Sequence, residues 1–334
     1  MTDAPPGISS NDKTGTLPTE ISRSGDFWLD DGNIVLVAEH TSYKVHRSFL
    51  ARHSPVFKDI LSLPQTGNVG EAQIEGCPAA QLSDSADDIH IILSMLYDSD
   101  HQYMSPSITL PFETVAAMLT VGMKYQIDKL SQEAIRRLKI CFPTEFAKFA
   151  DYNVFMNYYE CDESASPPIE IFEEEAIEVV RLASMFDIPA ILPAAYYTCA
   201  HLSVEELFSA VNKQRWTMSM LQTCIKGQSE LRQRDLAQLN VLFRREVSLS
   251  CSSENHCRGG MVELLKKLQE TRSLSGMEAL VPASRWFEDL SAGLVCNACA
   301  ATCMSAYEDA RRETWNGLGG MFGVHPWPIT EKAL

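Results

Sequence analysis

The densest hydrophobic patterning runs from Asn33 to Leu61. Ile34 to Val37 is a continuous apolar run with no solvent-facing alternation, the pattern of a strand buried on both faces, and Tyr43 and Val45 alternate as a second strand does. Only Glu39 and His40 separate the two, so the spacing predicts a tight hairpin. The period then turns helical. Val45, Phe49 and Leu50 share a face, Ser54-Pro55 supplies an N-cap and a first-turn proline, and Val56, Phe57, Ile60 and Leu61 form the stripe of a second short helix. Pro64 to Glu75 reads as a loop and Cys77 to Leu82 as a third strand. Ser85, three residues before Asp88, starts a helix carrying Ile89, Ile92, Leu93 and Leu96. After a polar loop from Asp98 to Ser107, a short strand is expected at Ile108 to Leu110. Pro111 opens a helix with the face Val115, Met118, Leu119 and Gly122, and a further helix from Asp128 uses Leu130, Ala134 and Leu138. Arg136, Arg137 and Lys139 are assigned to its solvated face.

A hairpin, then His-Arg, then two short helices resembles the opening of BTB/POZ domains. His46, Leu50, Ser54 and Phe57 match the family's histidine, leucine, serine and phenylalanine in register, and the resemblance covers roughly a third of the chain. It implies an α/β fold, a small sheet with a helical cluster, whose surface serves self-association or partner docking. It also implies a structural role for His46, for which the sequence shows no partner. Asn33 stands where many members carry a buried Asp, while Arg47 keeps the arginine after the histidine. Many animal members open with a long amphipathic helix that helps build a dimer. Here Met1 to Ser24 has no apolar period and reads as a disordered tail, followed by Phe27, Trp28 and Leu29 as a cap on the core. Members that bind a cullin-type ubiquitin ligase often carry an apolar-x-Glu motif after the third helix. Pro111-Phe112-Glu113 is the nearest candidate, close to the next helix.

Downstream, part of the pattern recurs. Tyr125, Ile127, Leu130 and Ala134 return as Phe186, Ile188, Ile191 and Ala195, each 61 positions on, and Leu119, Val121 and Gly122 return as Val180, Leu182 and Ala183. Cys161 to Pro168 reads as a loop between the copies. Glu173, Glu174, Glu175 and Glu178 suit a helix N-terminus as a solvated face. Ser203 and Glu206 form a capping box, and Trp216 to Arg245 keeps a helical period. From Val247 the composition shifts to Ser, Cys and Gly. The expected organisation is therefore a tail over 1–24, an α/β BTB/POZ domain over 25–140, a helical region over 141–246 and a cysteine- and tryptophan-rich module over 247–334. This layout is similar to that of BTB proteins abundant in mushroom-forming fungi.

Charge and composition narrow the function. The net charge of −16, from 44 acidic against 28 basic residues, opposes tight binding to nucleic acid. No apolar run approaches the ~18 residues that span a bilayer. The N-terminus lacks a signal-peptide pattern, so an intracellular location, cytoplasmic or nuclear, is expected for the ten cysteines, as thiols or metal ligands. No partnered nucleophile, phosphate loop or zinc-deaminase motif is present. Gly317, Gly319, Gly320 and Gly323 read as a turn, and Trp315, Leu318, Phe322 and Trp327 as a tail that docks.

One constellation remains. Cys251 and Cys257 are separated by five residues and Cys296 and Cys299 by two, with the helix Met261 to Leu268 folding back between the pairs. In a reducing compartment two soft ligands per loop favour a closed structural zinc ion, with Cys303 or His256 as substitutes for one of the four. The expected function is that of a non-enzymatic protein-interaction adaptor, self-associating as a homodimer. The alternatives are a cullin substrate adaptor and, from another class, a thiol oxidoreductase using Cys296-Asn-Ala-Cys299.

Overall fold

The computed structural model describes residues 20–62, 73–97, 105, 107–151, 167–242, 247–271, 279–282, 287 and 291–327. Residues 1–19 of the expected tail, and most of the loops expected at Pro64 to Glu75, Asp98 to Ser107 and Cys161 to Pro168, lie outside them. The chain divides into two compact units, Met1–Ser105 with Ala117–Glu133, and Pro106–Ala116 with Ala134–Leu334.

The first unit is built on a five-stranded sheet of order β1-β3-β2-β5-β4, from β1 (Ser22–Trp28), β2 (Ile34–Ala38), β3 (Thr41–Val45), β4 (Gln73–Ile74) and β5 (Cys77–Leu82). β2 has no polar side chain and is buried from end to end, as a central strand covered on both faces must be. It pairs antiparallel with β3 through the two-residue hairpin, where Glu39 takes φ 50°, and parallel with β5. β1 corrects the sequence reading, because it starts inside the stretch expected to be tail. Hydrogen bonds to backbone groups hold it where apolar periodicity is lacking: the Ser22 N–H donates to His40 O at 2.8 Å, and the Ser42 hydroxyl donates to Ser22 O at 3.0 Å. Phe27, within β1, is buried, as a cap on the core requires.

Helices α1 (Arg47–His53), α2 (Pro55–Ser62) and α3 (Ala86–Tyr97) pack on this sheet. Ser54 is the joint between α1 and α2. Its Oγ accepts the Phe57 N–H at 2.9 Å and donates to Tyr125 O at 2.5 Å, so one hydroxyl caps a helix and ties it to a residue 71 positions away. The Phe57 ring stacks on Tyr125 at 4.3 Å and 6°. Tyr125 in turn donates to Asp84 at 2.7 Å, and burial together with that carboxylate pushes its phenol well up. Ser85 Oγ accepts the Asp88 N–H at 3.1 Å, the expected start of α3.

In the second unit, β6 (Leu110–Pro111) pairs in parallel with β7 (Ile169–Glu170). Arg137, expected in solvent, is instead 0% exposed. Its Nη1 donates to Ile108 O and Pro168 O, each at 2.7 Å, one carbonyl beside each strand. The reason is local: carbonyls at the ends of two-residue strands keep spare acceptor capacity, Pro168 O taking the Leu110 N–H at 3.2 Å as well, and one guanidinium nitrogen reaches both. The mainly helical remainder comprises α6 (Phe146–Asp151), α7 (Ala176–Met185), α8 (Leu192–Cys199), α9 (Val204–Asn212), α10 (Met218–Leu242), α11 (Glu254–Thr271) and α12 (Asn297–Met321). The Ser203–Glu206 capping box is closed in both directions, at 2.7 and 3.2 Å. The turn expected at Gly317, Gly319 and Gly320 is helical, and only Gly323, at φ +70°, reverses the chain. Those helical glycines are sites of close approach, since a Cβ on Gly319 would lie 2.2 Å from Trp327 Cβ. The tail docks as expected: Trp315 is buried and donates to Thr144 O at 3.1 Å, and Trp327 donates to Trp315 O at 2.9 Å.

The recurrence at 61 positions is present in the backbone. Helix α4 (Phe112–Lys124) has its counterpart in the 3₁₀ turn Glu173–Glu175 continued by α7, and α5 (Asp128–Cys141) in the 3₁₀ turn Pro189–Ile191 continued by α8. Each first helix ends on a left-handed residue, Gln126 or Asp187, both at φ 53°. The same six-residue closure follows, Ile127 N–H to Gly122 O and Ile188 N–H to Ala183 O, both 2.8 Å. Gln214 and the bond from Arg215 N–H to Ala210 O, 2.9 Å, repeat it once more after α9. Within the acidic run, Glu173 and Glu174 are exposed as a solvated face requires, while Glu178 pairs with Arg181 and Arg215 and Glu175 accepts the Phe172 N–H.

Candidate metal centre

Cys251, Cys257, Cys296 and Cys299 converge in the second unit, with all four sulfurs within 4.8 Å of one another. Each reaches the cluster from a different backbone setting. Cys251 closes a turn whose N–H donates to Ser248 O at 2.9 Å. Cys257 lies near the start of α11, which runs further toward the N-terminus than the helix expected from Met261. Cys296 is the N-cap of α12, with φ −73° and ψ 159°, and Cys299 lies in its first turn. Two helix N-termini therefore face the sulfurs, a setting that favours thiolates.

A glycine makes this convergence possible. A Cβ on Gly260 would lie 1.7 Å from Leu294 O, so only glycine lets α11 approach the segment that delivers Cys296. The sequence held a signal for this, a Gly-Gly pair inside a helical period. Two backbone donors were not legible at all: the Ser248 N–H donates to Cys299 Sγ at 3.4 Å, and the Cys296 N–H to Cys257 Sγ at 3.2 Å. N–H groups of Cys299 and Ser252 directed at Cys296 bring that thiol down to about 6, while burial pushes Cys299 up to about 12.

The sulfurs suit metal coordination better than a disulfide. Cys251 Sγ and Cys296 Sγ are 3.9 Å apart, near the ~3.8 Å edge of a tetrahedron with ~2.3 Å metal–sulfur bonds. All described cysteines are free. The two candidate substitutes fall outside the tetrad: His256 is exposed, and Cys303 is buried in the apolar floor with Met261, Leu264, Phe287 and Tyr307. Four thiolates leave no open position, so the arrangement can hold a soft divalent ion but offers no site for a metal-bound water.

In the first unit, the four motif residues occupy the core and its rim. Leu50, Ser54 and Phe57 are buried. His46, read from sequence as lacking a partner, has two: its Nε2 lies 3.0 Å from Asp31, and its backbone N–H donates to the Tyr97 hydroxyl at 2.9 Å. Asp31 lies in the turn between β1 and β2 and Tyr97 at the end of α3, so neither pairing was legible in the chain. Asn33 accepts the Arg47 N–H at 2.8 Å, an amide doing locally what a carboxylate would do. Phe112 of the candidate cullin motif is 4% exposed and unavailable for docking. Among the described residues no helix is long and apolar enough to cross a membrane.

Comparison with known families matches one model to this chain, the BTB/POZ domain, over residues 30–139. No curated protein matches it.

Proposed function

From the BTB/POZ domain at residues 30–139 we propose that this chain is a non-enzymatic protein-interaction adaptor that self-associates through that domain. The observation that carries the reading is the match itself; the burial of Leu50, Ser54 and Phe57 supports it, as residues of a core rather than of a reaction centre. Light scattering of the full chain at micromolar concentration tests it, with a dimer as the expected species. A strict monomer across that range refutes self-association, and a pull-down that recovers no partner with the intact domain refutes the adaptor role. A cullin partner has weaker support, since Phe112 is buried. A thiol oxidoreductase has one observation in its favour, the position of Cys296 at a helix N-terminus. A dithiol enzyme needs two sulfurs, however, and this site assembles four.

The cofactor we propose is a structural zinc ion on Cys251, Cys257, Cys296 and Cys299, in a reducing intracellular compartment. Magnitudes support a structural role. Apart from Cys257, the apolar side chains of α11 that are buried among the described residues are Met261 and Leu264, each contributing about 1.5–3 kcal/mol. A structural zinc ion contributes about 10–16 kcal/mol in small domains, which is larger than either burial. Metal analysis of purified protein should find about one equivalent of zinc. Less than about a tenth, with folding unchanged by chelation, refutes the site.

A further inference from the structure

The four sulfurs fall into two pairs with different freedom. Cys257 and Cys299 are fully buried, belong to helices, and each receives a backbone N–H, from Cys296 and Ser248 respectively. Cys251 and Cys296 are half-buried and sit on non-helical backbone, one closing the Ser248–Cys251 turn and the other at the α12 N-cap, where Cys296 also receives the Cys299 and Ser252 N–H groups. Their sulfurs are 3.9 Å apart. The tetrad thus has a fixed inner edge and an outer edge open to solvent.

We propose that Cys251 and Cys296 form an oxidation site for peroxides, at which disulfide formation expels the bound metal. The inference rests on the zinc reading above. One thiolate of the outer pair attacks the peroxide, breaking the O–O bond to give a sulfenic acid and hydroxide, which takes up a proton from solvent. The second thiolate then attacks the sulfenic sulfur and expels a second hydroxide, which takes up another proton. In sum two thiolates, one hydrogen peroxide and two protons give one disulfide and two waters, while Zn²⁺ leaves for solvent. The sulfurs must close from 3.9 Å to about 2.05 Å, a movement that a turn and an N-cap can supply without unwinding a helix. The rival pair Cys296–Cys299 would have to draw Cys299 out of the first turn of α12 and away from the Ser248 N–H. Cys303 is buried in the floor and faces no peroxide.

The test uses the full-length zinc-loaded protein, hydrogen peroxide, a chromogenic zinc chelator and mass-spectrometric disulfide mapping. Zinc release should run in step with loss of two thiols, with Cys251–Cys296 as the dominant disulfide and with reversal by thiol reductant plus zinc. Cys303→Ser should keep both the metal and the reaction, while Cys251→Ser should abolish the mapped disulfide. Zinc release with a Cys296–Cys299 or Cys257–Cys299 disulfide overturns the proposal, as does retention of zinc with all thiols intact. Protein purified from a reducing host without zinc overturns the metal reading beneath it instead, a separate result obtained before peroxide is added.

Discussion

Replacing Arg137 by methionine tests the least foreseen contact in the second unit. Methionine keeps most of the stem volume and removes the Nη1 donor that binds Ile108 O and Pro168 O at 2.7 Å each. A hydrogen bond from a charged group contributes about 1.5–3 kcal/mol net, so two set a gross loss of about 3–6 kcal/mol. Relief from holding a guanidinium away from water offsets part of this, because burial of a charge carries its own cost of several kcal/mol. The expected net loss is about 2–4 kcal/mol. With a urea slope of about 2 kcal/mol/M, the midpoint should fall by about 1–2 M. Tryptophan emission is a suitable probe, since Trp216 and Trp315 are both buried in this unit. Arg137→Lys should fall between the two, because an ammonium is a point donor and matches the paired carbonyls less well. A midpoint for Arg137→Met within about 0.2 M of the parent would refute the reasoning and return Arg137 to a peripheral role.

Phe57→Ala removes a buried ring stacked at 4.3 Å on Tyr125 and should cost about 3–5 kcal/mol in chemical denaturation, whereas Phe57→Leu should lose less. Gly260→Ala places a Cβ 1.7 Å from Leu294 O and should lower zinc content measured by metal analysis, while Gly259→Ala, with nothing within 4 Å, should not. Acidification should release the metal, because protons compete for the thiolates, and zinc retained below about pH 4 would contradict the tetrathiolate site. Glu206 is held below its ordinary value by hydrogen bonds from the Ser203 side chain and backbone, so its contribution is present at neutral pH and lost as pH falls through the folded value. Ser203→Ala should therefore cost about 1 kcal/mol at pH 7 and less in acid, as read by thermal melting in both buffers.

The sequence by itself determined those parts of the protein whose physics is local. The β2–β3 hairpin follows from an apolar run, a two-residue gap and an alternating strand, and the starts of α2, α3 and α9 follow from Ser54, Ser85 and Ser203 beside their own helices. The four cysteines were legible as a ligand set because their pairs are close in the chain. Three-dimensional packing decided the rest. β1 joins the sheet by backbone bonds, which are blind to side-chain pattern, so Ser22 to Ser24 could not announce a strand. Arg137 looks like any cation on a helix until the carbonyls of Ile108 and Pro168 are brought to it from 29 and 31 positions away. His46 likewise gains Asp31 and Tyr97 only when the sheet and α3 are assembled. At the metal centre the chain supplied the sulfur atoms, but the distinction between an inner and an outer pair depends on which cysteines the helices bury. Short-range hydrogen bonding and periodicity are written in neighbouring residues. Burial, and the pairing of polar groups far apart in the chain, exist only once the backbone has folded back on itself.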